Sequence, residues 1–192
     1  MSGLEEIIRG HQIFSSLLNR GGQEPMMQEG QLLEQLSTAT ESPEVERLYK
    51  KDVAGFFGKT LNKILDWKGY GKNMPDHYAY LDLPEKVMAA TIRLDNGVVI
   101  LAYNQKYREI LLNDPLTRQY VNFHEHAHVR GELSEYTTDA LVLQAARNVR
   151  KNLEGAYNKF IGWGKKAYNG INGILNDAYQ IERHAAQRLN TQ

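Results

Sequence analysis

One stretch breaks the helical periodicity of the rest of the chain. VMAATIRL, DNG and VVILAY, residues 87 to 103, set two runs of β-branched and small apolar residues around an Asp-Asn-Gly turn. Asn-Gly suits the two positive-φ positions of a two-residue hairpin turn, so the segment predicts strands at 87–94 and 98–103. A chain containing this hairpin cannot be a pure helical bundle. Elsewhere the apolar residues recur at helical spacing, so the expected class is α+β: a mostly helical body with a small antiparallel hairpin or sheet.

The helices follow from their start and stop signals. Leu4, Ile7, Ile8, Ile13, Phe14 and Leu17 predict an amphipathic helix over 3–18, ended near Gly21 and Gly22. A short helix is expected at about 26–36, and a longer one from Pro43 to about Trp67. GYGKNMPDHY reads as a loop. Asn113-Asp114-Pro115 offers an N-cap followed by proline at the first helical position, and Gly131 a stop. Ser134 offers the next N-cap, for a helix from Glu135 to about Asn152. Beyond Gly155 a last helical region carries Tyr157, Phe160, Ile161, Trp163, Tyr168, Ile171, Ile174, Leu175 and Tyr179, weakened by four glycines between 162 and 173. The organisation expected is a helical N-terminal region (1–70), a core (71–155) and a C-terminal helical region (156–192) packed on that core as one compact body.

Composition narrows the partners and the chemistry. Lysine plus arginine number 23 and aspartate plus glutamate 23, so no net field favours nucleic acid or an anionic membrane. The N-terminus has acids where a secretory leader has its basic end, and no run reaches the roughly 18 apolar residues of a span. A soluble, cytoplasmic protein is expected. With no cysteine in the chain, a zinc ion would need histidine and carboxylate ligands.

Three of the six histidines lie in FHEHAHVRGELSEYTTDALV, residues 123–142. His124 and His128 are four apart, hence on one helical face and within joint reach of a single ion. Glu125 lies about 100° round the helix, where it can address a water beside the ion without binding the metal. His126 points about 200° away, so it is not counted as a ligand. A catalytic zinc wants a third protein ligand and an open position, and Glu132, Glu135 and Asp139 are all candidates. Asp139, four residues after Glu135, is also placed to accept a hydrogen bond from the far nitrogen of a ligating histidine.

HEHAH followed by SEYTTDAL resembles the gluzincin type of zincin metallopeptidase, which carries HExxH on one helix and Glu-x-x-x-Asp on the next. The resemblance spans about residues 87 to 150. It implies a zincin-like fold, with the small sheet beside the HExxH helix and its edge strand lining the cleft. It also implies zinc bound by His124, His128 and Glu135, water activation by Glu125, and a histidine oriented by Asp139. The metzincin pattern HExxHxxGxxH is set aside because Ser134 stands at its third histidine position. The function implied is zinc-dependent hydrolysis of peptide bonds in a protein or peptide substrate. A zincin-like interaction module without turnover is the alternative. His77, Tyr78, Tyr80, Tyr136 and His184 are candidates to stabilise the oxyanion.

Overall fold

The computed structural model describes residues 3–15, 17–18, 26–160 and 165–191, without the side chains of 157–160 and 165–170. In chain order the elements are α1 (Gly3–Ile8), β1 (Ile13–Ser15), α2 (Glu29–Thr38), α3 (Pro43–Ala54), α4 (Phe56–Trp67), β2 (His77–Leu81), β3 (Ala89–Leu94), β4 (Val99–Asn104), α5 (Arg108–Asn113), α6 (Pro115–Val129), α7 (Glu135–Phe160) and α8 (Lys165–Leu189). The fold is thus α+β. Among the described residues no helix is long and apolar enough to cross a membrane.

The expected hairpin forms, with β3 antiparallel to β4 and Ile92 opposite Ile100. It is the centre of a four-stranded mixed sheet of order β1-β3-β4-β2, rather than a purely antiparallel one, because β2 runs parallel to β4. The stretch read as a loop therefore ends in a strand. His77–Leu81 is only five residues long, and its partner begins 22 positions after its first residue, so no turn signal betrays the pairing. The outer edge of β2 is covered by side chains. Gln35 donates to the Asp82 carbonyl and accepts from the Asp82 amide, both at 2.8 Å, and Glu41 accepts from the Tyr78 amide.

Two helical expectations are corrected. The helix foreseen over 3–18 stops at Ile8, where Gly10 takes φ +79°. Ile13–Ser15 then pairs with β3, because a strand with Ile13 buried and Phe14 exposed satisfies the same apolar pattern while closing part of an open edge. The foreseen stop at Gly21 and Gly22 lies outside the described residues. The helix foreseen over 43–67 is broken at Gly55, which is extended at ψ 175°. The corner is tight, since a Cβ on Gly58 would fall 2.1 Å from the Val53 carbonyl oxygen.

Alternating strand residues separate two apolar clusters. Ala90, Ile92, Ile100 and Ala102 face α1, β1 and α2, where Leu4, Leu32 and Leu36 are fully buried. Ala89, Leu101 and Tyr103 face α3, α4, α6, α7 and α8. On α8, Ile171 and Leu175 pack against this second cluster as expected, whereas Ile174 and Tyr179 are exposed. Tyr157, Phe160, Ile161, Trp163 and Tyr168 fall outside the described side chains.

A buried polar network fixes α6 against α3. Asp52 accepts from Arg118 Nε at 2.9 Å and Asn122 Nδ2 at 2.8 Å, while the Tyr103 hydroxyl donates to Asn122 at 2.6 Å. Removing one partner of such a buried pair leaves an uncompensated charge, so α6 is held in one orientation.

Candidate metal centre

Helix α6 begins on an Asp114 cap with Pro115 in its first turn. It ends where Gly131 takes φ +115°, with the Gly131 amide donating to His128 O and the Glu132 amide to Ala127 O. This pair of bonds is a Schellman stop. It turns the chain back within a few residues, and Ser134 then caps α7 by accepting from the Thr137 amide. Glu135, in the first turn of α7, is thereby returned to the histidine face of α6.

His124 and His128 are both buried, each 6% exposed. His124 Nδ1 lies 2.8 Å from Asp139 Oδ1, and His128 Nδ1 lies 2.7 Å from the Glu132 carbonyl oxygen. Both acceptors demand a hydrogen, so each ring donates through Nδ1 and turns its Nε2 inward. The two Nε2 atoms are 3.2 Å apart, with Glu135 Oε2 at 3.1 Å from one and Glu135 Oε1 at 3.5 Å from the other. Two nitrogen lone pairs and a carboxylate facing one another require positive charge between them: a proton or a metal ion. In the absence of metal the proton takes that place. Burial opposes charging His124, but the Asp139 and Glu135 carboxylates outweigh it and push its pKa up to about 9. Burial likewise opposes ionising Glu135, and the two histidines outweigh it, holding this carboxyl far below the usual range.

The ligand atoms of His124, His128 and Glu135 lie within 4.8 Å of one another. Neutral imidazole nitrogen and carboxylate oxygen are donors suited to zinc, and three of them leave a fourth position open. The donor set therefore fits a catalytic ion. Of the other two acids, Asp139 stands behind His124 and also accepts from Tyr120 at 2.7 Å and Arg188 Nε at 3.0 Å. Glu132 turns away, its carboxylate accepting from the Tyr70 hydroxyl and the Ser134 amide.

Glu125 points at β3, where the Thr91 hydroxyl donates to its Oε2 at 2.9 Å. His126 lies on the opposite side of α6, as its spacing predicts. The Tyr49 hydroxyl donates to its Nδ1, and its Nε2 donates to Asn62. Burial, aided by the Arg130 charge, pushes its pKa down to about 3, so this ring is a neutral tie between α6 and the α3–α4 corner.

A cleft of about 300 Å³ opens beside the cluster, lined by Met88, Ala89, Tyr120, His124, Glu125 and His184 among others. Of the oxyanion candidates only His184 lines it. Tyr78 is buried, Tyr80 donates to Glu44, His77 pairs with Glu41, and Tyr136 is exposed. Sequence reasoning missed Thr91, Tyr120 and Arg188. Tyr120 was accessible, being four residues before His124 on the same face. Arg188 arrives from 49 residues beyond Asp139 and carries no local signal. No protein-family model, curated protein or solved structure matches this chain.

Proposed function

We propose that this protein is a zinc-dependent metallopeptidase of the zincin type, in which Glu125 is the general base. The observation that carries the reading is the convergence of two inward Nε2 atoms and the Glu135 carboxylate beside a carboxylate that is not part of the cluster. His124, His128 and Glu135 would hold the ion. Zinc, when bound there, would lower the pKa of a coordinated water towards ~7 and polarise a carbonyl.

The chain's own groups carry the proton. Thr91 holds Glu125 Oε2, so Oε1 receives the proton from water and afterwards passes it to the leaving amine. His184, in the cleft wall, donates towards the carbonyl oxygen as charge builds there. Asp139 keeps His124 in its Nδ1–H form, which leaves Nε2 as the donor atom for metal. The substrate is an extended peptide, because Val87, Met88 and Ala89 of the β3 side line the cleft and a strand edge binds peptides by strand addition.

Metal analysis combined with Glu125→Gln tests the reading. Wild type should hold near-stoichiometric zinc and cut an unfolded protein or a mixed peptide library, with chelator stopping the cleavage. Glu125→Gln should keep zinc and fold while losing about 100-fold or more in kcat. A zinc-loaded wild type that cuts nothing, or a Glu125→Gln variant that cuts equally well, would overturn it.

A further inference from the structure

Helix α4 carries two apolar stripes, and the core takes only one of them. Phe57, Leu61, Ile64 and Leu65 are buried in it. At about 100° per residue, Phe56, Lys63 and Trp67 lie within about 40° of one another on the other side of the helix, with Lys59 about 40° beyond Lys63. Phe56 is 49% exposed and Trp67 79%. The two rings stand about 16 Å apart along the helix axis, and neither adds to the core.

The same surface is positive. Between residues 56 and 74 the chain has Lys59, Lys63, Lys68 and Lys72 and a single acid, Asp66, which is paired with Arg130 at 2.6 Å. All four lysines are exposed, and none has a carboxylate partner among the described residues. Lys68 Nζ instead lies 5.7 Å over the Trp67 ring. The loop that follows is tied to the body: the Gly71 amide donates to the Arg130 carbonyl at 3.1 Å, and Arg130 Nε donates back to the Gly71 carbonyl. Lys72 and the exposed Met74 are thereby kept near the end of the helix. The chain as a whole is neutral, so this excess belongs to one face.

We propose that this face of α4 docks on an anionic lipid bilayer, with the helix lying parallel to the surface. Phe56 and Trp67 enter the boundary between headgroups and acyl chains, and the four lysines reach the lipid phosphates. Tryptophan suits that depth because its ring is apolar and its N–H polar. Lysine stems lie along the apolar layer while their ammonium groups stay in water. A helix with aromatic rings among lysines on its outer face binds in the plane of the interface rather than across it. Nucleic acid is the other polyanion, but its recognition favours arginine forks, and residues 56–74 hold no arginine. Tyr70 of the same loop donates to Glu132, so the docked surface adjoins the turn that returns Glu135 to the histidines. The proposal stands independently of the hydrolase reading.

The test is co-sedimentation of the full-length protein with vesicles of phosphatidylcholine, alone or with about 30% phosphatidylserine, an anionic lipid that attracts polybasic segments. The anionic vesicles should bind it about tenfold more tightly or better. Raising salt from about 0.1 M to about 1 M shortens the screening length from about 10 Å to about 3 Å and should remove most of that difference. Trp67→Ala should weaken binding about tenfold, as expected for one aromatic ring returned to water. Lys59→Gln, Lys63→Gln, Lys68→Gln and Lys72→Gln together should weaken it about 100-fold or more, whereas Lys106→Gln, outside the patch, should leave it unchanged. All these side chains are exposed, so the variants should keep the wild-type urea midpoint. Failure to bind anionic vesicles, equal binding to phosphatidylcholine alone, or binding undiminished in folded Trp67 and lysine variants would each overturn the proposal. A single-stranded RNA oligomer that binds through the same lysines while vesicles do not would replace it with a nucleic-acid surface.

Discussion

His124 and His128 face each other through nitrogens whose opposite ring hydrogens are already committed to Asp139 and Glu132. The surrounding residues then differ in what their loss would do. Glu135→Ala removes the carboxylate that reaches both Nε2 atoms and should abolish zinc retention on dialysis. Asp139→Asn should cost about 10- to 100-fold in affinity, as a change behind a ligand. Glu132→Gln should leave zinc in place, since that carboxylate serves Tyr70 and Ser134. Elemental analysis of the three variants checks the order, and zinc lost on Glu132→Gln but kept on Glu135→Ala would reverse the assignment. The sequence made His124, Glu125 and His128 legible because four-residue spacing on a helix is geometry. It left three acids open because the Gly131 turn, not periodicity, determines which one comes back. Thr91 and Arg188 were illegible because their contacts depend on how distant elements dock.

At the scale of elements, legibility followed the strength of local signals. Capped helices were readable: α3, α6 and α7 start at Pro43, Pro115 and Glu135, where the sequence places them. The β3–β4 hairpin was readable through its turn. β1 and β2 were not, because each is short and gains its hydrogen bonds only from a partner far along the chain. The α3–α4 corner yields a prediction whose sign discriminates. On propensity alone Gly58→Ala in a helix would stabilise by about 1 kcal/mol. The new methyl would instead meet the Val53 backbone, so we expect destabilisation of about 1–3 kcal/mol or more, read as a lower urea midpoint. Tyr49 and Asn62, which hold His126 from either side of this corner, should loosen with it.

Across the whole molecule the sheet divides two tasks. The face towards α1 and α2 holds an apolar cluster, while the opposite face carries the helices that bear the His124, His128 and Glu135 cluster. Leu32→Ala should therefore lower stability by about 2–5 kcal/mol and leave the zinc affinity of the folded protein unchanged, as measured by denaturation and chelator competition; a matching loss of affinity would show the two layers to be coupled. The α+β class was legible from one turn between two strands. The mixed topology was not, since it depends on a parallel pairing with no sequence signature. The Gln35 side chain, bonded in both directions to Asp82, has a consequence for behaviour at high concentration. An exposed strand edge is a template on which like molecules stack into fibrils. By imitating the backbone of a neighbouring strand, this amide helps mask the far edge of the sheet, so that copies of the protein can be crowded together without being stitched edge to edge through β2.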